Sequence, residues 1–126
     1  MPGPRARRAT FAFYTVPLFV ATHWPALAVP VEGRWDLLVH AAVFAGWNAL
    51  LIACGFFGPA LSARNIQLAT LIAAVYAAFD EGLQALPMVR RTAAWDDFGA
   101  NLGGVALAAV VAGVLAVRRN ANSGAR

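Results

Sequence analysis

Four long apolar runs, approximately Thr10–Val29, Trp35–Phe57, Ile66–Leu86 and Trp95–Val117, take up most of the chain. A helix needs about 20 apolar residues, within a range of roughly 17–25, to cross a hydrocarbon core. All four runs reach that length. The breaks at Pro30–Arg34, Gly58–Arg64 and Pro87–Ala94 each hold Pro or Gly together with Arg, which are turn formers and interfacial charges. The composition agrees: 60% of the 126 residues are hydrophobic, 13% are charged, and the mean hydropathy is +0.62. A soluble domain carries about 25% charged residues. The expected fold is therefore all-α, a polytopic membrane protein forming a compact bundle of four transmembrane helices. Residues 1–9 and 118–126 are expected as tails and 10–117 as the membrane domain.

The net charge of +4 and pI of 10.6 do not make this a nucleic-acid binder, because no basic face stands clear of the apolar runs. The arginines orient the chain instead. With the N-terminus cytoplasmic, Arg5, Arg7, Arg8, Arg64, Arg118, Arg119 and Arg126 lie inside, and Arg34, Arg90 and Arg91 lie outside. That distribution obeys the positive-inside rule and puts both termini in the cytoplasm. Cys54, the sole cysteine, has no internal partner and suits a small buried apolar role.

The first run has a second reading. Arg5–Arg8, the apolar stretch and Ala26-Leu27-Ala28 together resemble a signal peptide with its cleavage site. Near-span length, and Thr22, His23 and Trp24 just before that site, favour a retained helix. His23 is expected there as an interfacial residue.

The acids were not used to choose the orientation, yet Glu32, Asp36, Asp80, Glu81, Asp96 and Asp97 all fall on the outer side. Three aspartates are followed four residues later by a hydrogen-bonding side chain: Asp36/His40, Asp80/Gln84 and Asp97/Asn101. Positions i and i+4 share one helix face, so each pair forms a polar stripe about one turn tall. Helix N-termini favour carboxylates, which suffices for Asp36, Asp96 and Asp97 without any function. Asp80 and Glu81 precede a helix C-terminus, where the dipole opposes negative charge. Arg90 and Arg91 are the nearest compensating charges in sequence. The uncharged stretch Leu68–Phe79 rises only about 18 Å, which sets Asp80 and Glu81 below the headgroups, where ionisable groups pair or face water. Gly99/Gly103 and Ala42/Gly46 have the small-xxx-small spacing that lets helices approach closely.

The run Asp80-Glu81-Gly82-Leu83-Gln84, then Pro87, Arg91, Asp97, Asn101 and Gly104, resembles the VanZ-like membrane protein family. Asp36-Leu37-Leu38-Val39-His40 with Phe44 is similar to that family's first motif. Leu37 stands where the family usually has Lys, and the loop before Arg91 is one residue longer than usual. Arg91 is preferred over Arg90 as the family arginine for its spacing to Asp97. The resemblance covers the second to fourth runs. It implies a cell-envelope role, and the namesake is associated with low-level resistance to teicoplanin, a glycopeptide acting at the outer face of the membrane.

The resulting expectation is a polar site at the outer interface that binds or acts on a lipid-linked or envelope-associated polar group. Asp80, Glu81 and His40 are candidate general acids or bases, and Asp36, Gln84, Arg91, Asp97 and Asn101 are candidate binding residues. No spacing is diagnostic of a metal, and no cofactor is specified. Expected partners are membrane lipids, a lipid-linked precursor or a glycopeptide. The alternatives are a non-enzymatic envelope scaffold, a small transporter, or stripes that merely lock helices together. Beyond Asn48, Gln67 and Thr70 the inner halves offer little polarity for transport.

Overall fold

The computed structural model describes residues 3–23, 35–84 and 95–124. These form four α-helices: α1 Pro4–His23, α2 Trp35–Cys54, α3 Ala63–Gln84 and α4 Trp95–Gly124. The described residues contain no strand. Pro4 takes the first helical position, where its missing N–H costs nothing. Arg5, Arg7 and Arg8 belong to the first turns of α1. Asp36 and the Asp96–Asp97 pair occupy the first turns of α2 and α4, as the helix dipole favours. α4 runs past the expected end at Val117 and carries Arg118 and Arg119 on the helix itself.

The turn between α2 and α3 is closed by Gly55 and Asn65. Gly55 follows Cys54 with φ of 63°, and its amide bonds the Ile52 carbonyl at 3.1 Å, the left-handed stop that glycine provides. Asn65 then ties the turn together. Its amide donates to the carbonyls of Ile52 and Ala60, both at 2.9 Å, and its Oδ1 accepts from the Phe57 N–H at 3.1 Å. Ser62 caps α3 by accepting from the Asn65 N–H at 3.3 Å.

α2 packs against all three other helices, α3 also meets α1 and α4, and α1 and α4 do not come together among the described residues. The closest approach is at Gly104, where an added Cβ would overlap the Ala41 carbonyl of α2. The expected Gly99/Gly103 pair plays no such part, since a Cβ at either would meet nothing within 4 Å. Ala42, likewise expected at a contact, is exposed. α3 buries a stripe of alanines, Ala69, Ala73 and Ala77. Trp47 joins three helices: it stacks on Tyr76 with ring centres 4.7 Å apart, lies 5.3 Å from the Phe11 ring, and donates to Thr15 Oγ1 at 2.9 Å. Below the alanine stripe's upper end, Asn48 donates to the Val105 carbonyl at 2.9 Å and to Thr70 Oγ1 at 3.4 Å, linking α2, α3 and α4.

The interior combines the alanine stripe and buried polar groups with Phe44, Trp47, Leu51 and Ile52 of α2, while many large apolar side chains face outward. Leu71 and Val75 of α3 are 60% and 61% exposed, and Val110 of α4 is 63% exposed. α2, α3 and α4 are each long and apolar enough to cross a membrane. α1 differs for a simple reason: its first two turns carry arginines, and the uncharged stretch from Ala9 to Thr22 rises only about 21 Å. The remainder of the first apolar run, with its possible cleavage site, lies outside the described residues.

Candidate functional site

The alternating helix directions bring the C-terminal ends of α1 and α3 and the N-terminal ends of α2 and α4 to one end of the bundle. On α3 the buried face runs Ala69, Ala73, Ala77, Asp80, Gln84, spacings of three and four that keep one side of the helix inward. Asp80 is fully buried. Its Oδ1 accepts from the Thr22 hydroxyl of α1 at 2.8 Å, and its Oδ2 accepts from the Gln84 amide at 3.1 Å. His23 Nδ1 lies 3.6 Å from Oδ1. Among the described residues, two neutral donors and an imidazole surround this carboxylate; Arg90 and Arg91, the compensating charges expected from sequence, lie outside them. Glu81 is buried beside Asp80.

A second group forms between α2 and α4. His40 Nδ1 lies 3.0 Å from Asn101 Oδ1, and its Nε2 lies 3.9 Å from Asp97 Oδ2. An amide oxygen only accepts, so the proton of this hydrogen bond sits on Nδ1. Asn101 is fully buried, and its Nδ2 has no partner among the described residues. Asp97, Asn101 and Gly104 share one face of α4, and the close contact at Gly104 holds that face against α2 at the level of His40. His40 is in turn within electrostatic range of Asp80. A polar band therefore crosses the bundle, from α1 through α3 and α2 to α4.

The three stripes fare differently. Asp80 and Gln84 bond as their spacing suggests. Asp97 and Asn101 both face His40 instead of each other. Asp36 and His40 separate: Asp36 is exposed and accepts from the Leu37 N–H at 2.8 Å, a local helix-end contact, while His40 turns to α4. Asp96 is also exposed. Arg91, with Arg90 and Glu32, lies outside the described residues. Among the described residues no three His, Cys, Asp or Glu side chains gather as a metal ion requires.

Thr22 and His23 are the residues that sequence reasoning passed over. His23 was expected at the interface and instead turns inward, its side chain 13% exposed. The available signal was that His23 is the only Asp, Glu, Lys, Arg or His within the first apolar run. Asn65 was also missed, although an asparagine three residues after a serine at a helix start suggests a cap. Compared with known proteins, the chain matches no family model, no curated protein and no solved structure.

Proposed function

We propose that this chain is a VanZ-like protein of the cell membrane with four spans and both termini cytoplasmic. Its polar band would lie just below the outer interface and bind or act on the polar group of a membrane lipid or lipid-linked envelope precursor. The observation that carries this reading is Asp80, a carboxylate with no exposure inside a bundle whose outer surface is apolar. Burying an ionised Asp in a membrane costs about 3 kcal/mol. From α1 Asp80 receives the Thr22 hydroxyl and the nearby His23 ring, and interhelical hydrogen bonds return about 0.6 kcal/mol each on average, less than that cost. A functional need for the carboxylate does account for it. The fourth span is supported by α1, whose outer face carries Phe13 at 81% and Val16 at 64% exposure, and by the apolar sequence that continues to Val29.

The test is a deletion strain, profiled for membrane lipids and cell-wall precursors and for teicoplanin sensitivity, then complemented with wild type, Asp80→Asn, Gln84→Ala or Asp97→Asn. Altered profiles that wild type restores and Asp80→Asn does not support the reading. Full rescue by all three variants at wild-type membrane levels overturns it. A non-enzymatic scaffold is the second reading, favoured by the fact that both Asp80 oxygens already have partners within the chain. It predicts that purified protein binds lipid without forming product.

A further inference from the structure

His23 presents a hydrogen-bond acceptor that nothing in the described structure uses. Its Nδ1 lies 2.9 Å from the Phe19 carbonyl oxygen. A carbonyl can only accept, so Nδ1 carries the ring proton. Thr22 Oγ1, also 2.9 Å from Nδ1, accepts from the same N–H because its own hydroxyl points to Asp80. Asp80 Oδ1 at 3.6 Å favours the same arrangement. The ring is further held by stacking on Phe19, 4.2 Å between centres and 22° between planes. Fixing Nδ1–H in this way leaves the Nε2 lone pair as the free end of the imidazole, the relation seen wherever a carboxylate or carbonyl sets a histidine's tautomer. That Nε2 is buried and without a partner among the described residues.

Resting on the function proposed above, we infer that His23 Nε2 is the point at which the site accepts a hydrogen bond from a hydroxyl of its ligand. The ligand class is therefore a hydroxyl-bearing headgroup, such as a sugar or polyol on a lipid, in preference to a phosphate. A buried lone pair needs a donor. A phosphate dianion offers only acceptor oxygens and would meet that lone pair beside the carboxylate of Asp80 and its buried neighbour Glu81. A hydroxyl can donate to Nε2 and so supplies what the lone pair lacks. Asp80 acts here as a positioning residue, through Thr22 and Nδ1.

The chain has two histidines, so ¹⁵N-histidine spectra of the full chain in nanodiscs are simple to assign, with His23→Asn identifying the His23 signals. In phosphatidylcholine nanodiscs, His23 is expected to show a protonated Nδ1 and an unprotonated Nε2. Adding glucosyl diacylglycerol is expected to move the Nε2 resonance toward the hydrogen-bonded position, and adding phosphatidic acid is not. A doubly protonated ring, a protonated Nε2, a response to phosphatidic acid, or no response to either lipid each overturns the inference. Complementation separates this proposal from the one beneath it. If Asp80→Asn, Gln84→Ala and Asp97→Asn all rescue the deletion, the proposed function itself fails. If Asp80→Asn does not rescue but His23→Asn does, with unchanged thermal stability, only the role of His23 falls.

Discussion

Asp80 and Asn65 are both fully buried polar residues, and they hold different kinds of position. Every polar atom of Asn65 is used within the α2–α3 turn, so its role is structural. Asn65→Ala leaves the Ala60 carbonyl and the Phe57 amide without these partners, while Ile52 keeps the Gly55 amide, and unsatisfied buried groups cost about 1–3 kcal/mol each. We expect a loss of about 2 kcal/mol or more, measured by equilibrium unfolding in mixed detergent, with the site at the opposite end unchanged. Thr22→Val removes one donor from Asp80 without changing volume much. Hydrogen bonds to charged groups contribute about 1.5–3 kcal/mol, and the membrane average is nearer 0.6 kcal/mol. A loss of about 1 kcal/mol by the same measurement is the expected outcome; no loss would mean that the Thr22 hydroxyl bonds Phe19 instead, the alternative at 3.2 Å.

Between helices, the clearest expectation concerns two adjacent glycines. Gly104 sits against the Ala41 carbonyl, whereas Gly103 faces open space. Gly104→Ala must push α4 away from α2, and overpacking of this kind costs about 1–3 kcal/mol. Because Asn101 lies on the same face one turn away, the His40–Asn101 contact should loosen with it. Gly103→Ala should be neutral or slightly stabilising, since alanine has the higher helix propensity. Thermal unfolding of the two variants in detergent checks the contrast, and equal behaviour would refute this account of the α2–α4 contact. The spacing alone pointed to Gly99 and Gly103 because they form the familiar motif. Gly104 was legible only as the last residue of the family-like pattern, since nothing local distinguishes which of two neighbouring glycines faces a partner.

At the level of the whole chain, the exposed residues decide the environment. Leu71, Val75, Phe79 and Val110 lie on the outside, and water would not tolerate so continuous an apolar surface on a monomer. The protein is expected to stay in the membrane fraction through an alkaline carbonate wash and to require detergent for extraction. Release by carbonate would contradict the membrane assignment. For orientation, a fluorescent protein that matures only in the cytoplasm, fused after Arg126, should fluoresce. A dark fusion alongside an active periplasmic reporter at the same position would reverse the proposed topology.

The lengths of the apolar runs and the breaks between them were enough to anticipate four helices, because burying backbone polar groups in an apolar setting leaves the helix as the local solution. The i to i+4 spacing was enough to pair Asp80 with Gln84, since both sit on one rigid element. Contacts between elements were out of reach of such reasoning. Helical periodicity says which residues share a face, and it is silent on how each helix is rotated toward its neighbours. That rotation, set by close contacts such as Gly104 on Ala41, turned His40 from Asp36 to Asn101. Packing of α1 on α3 likewise gave Asp80 the Thr22 hydroxyl and the His23 ring.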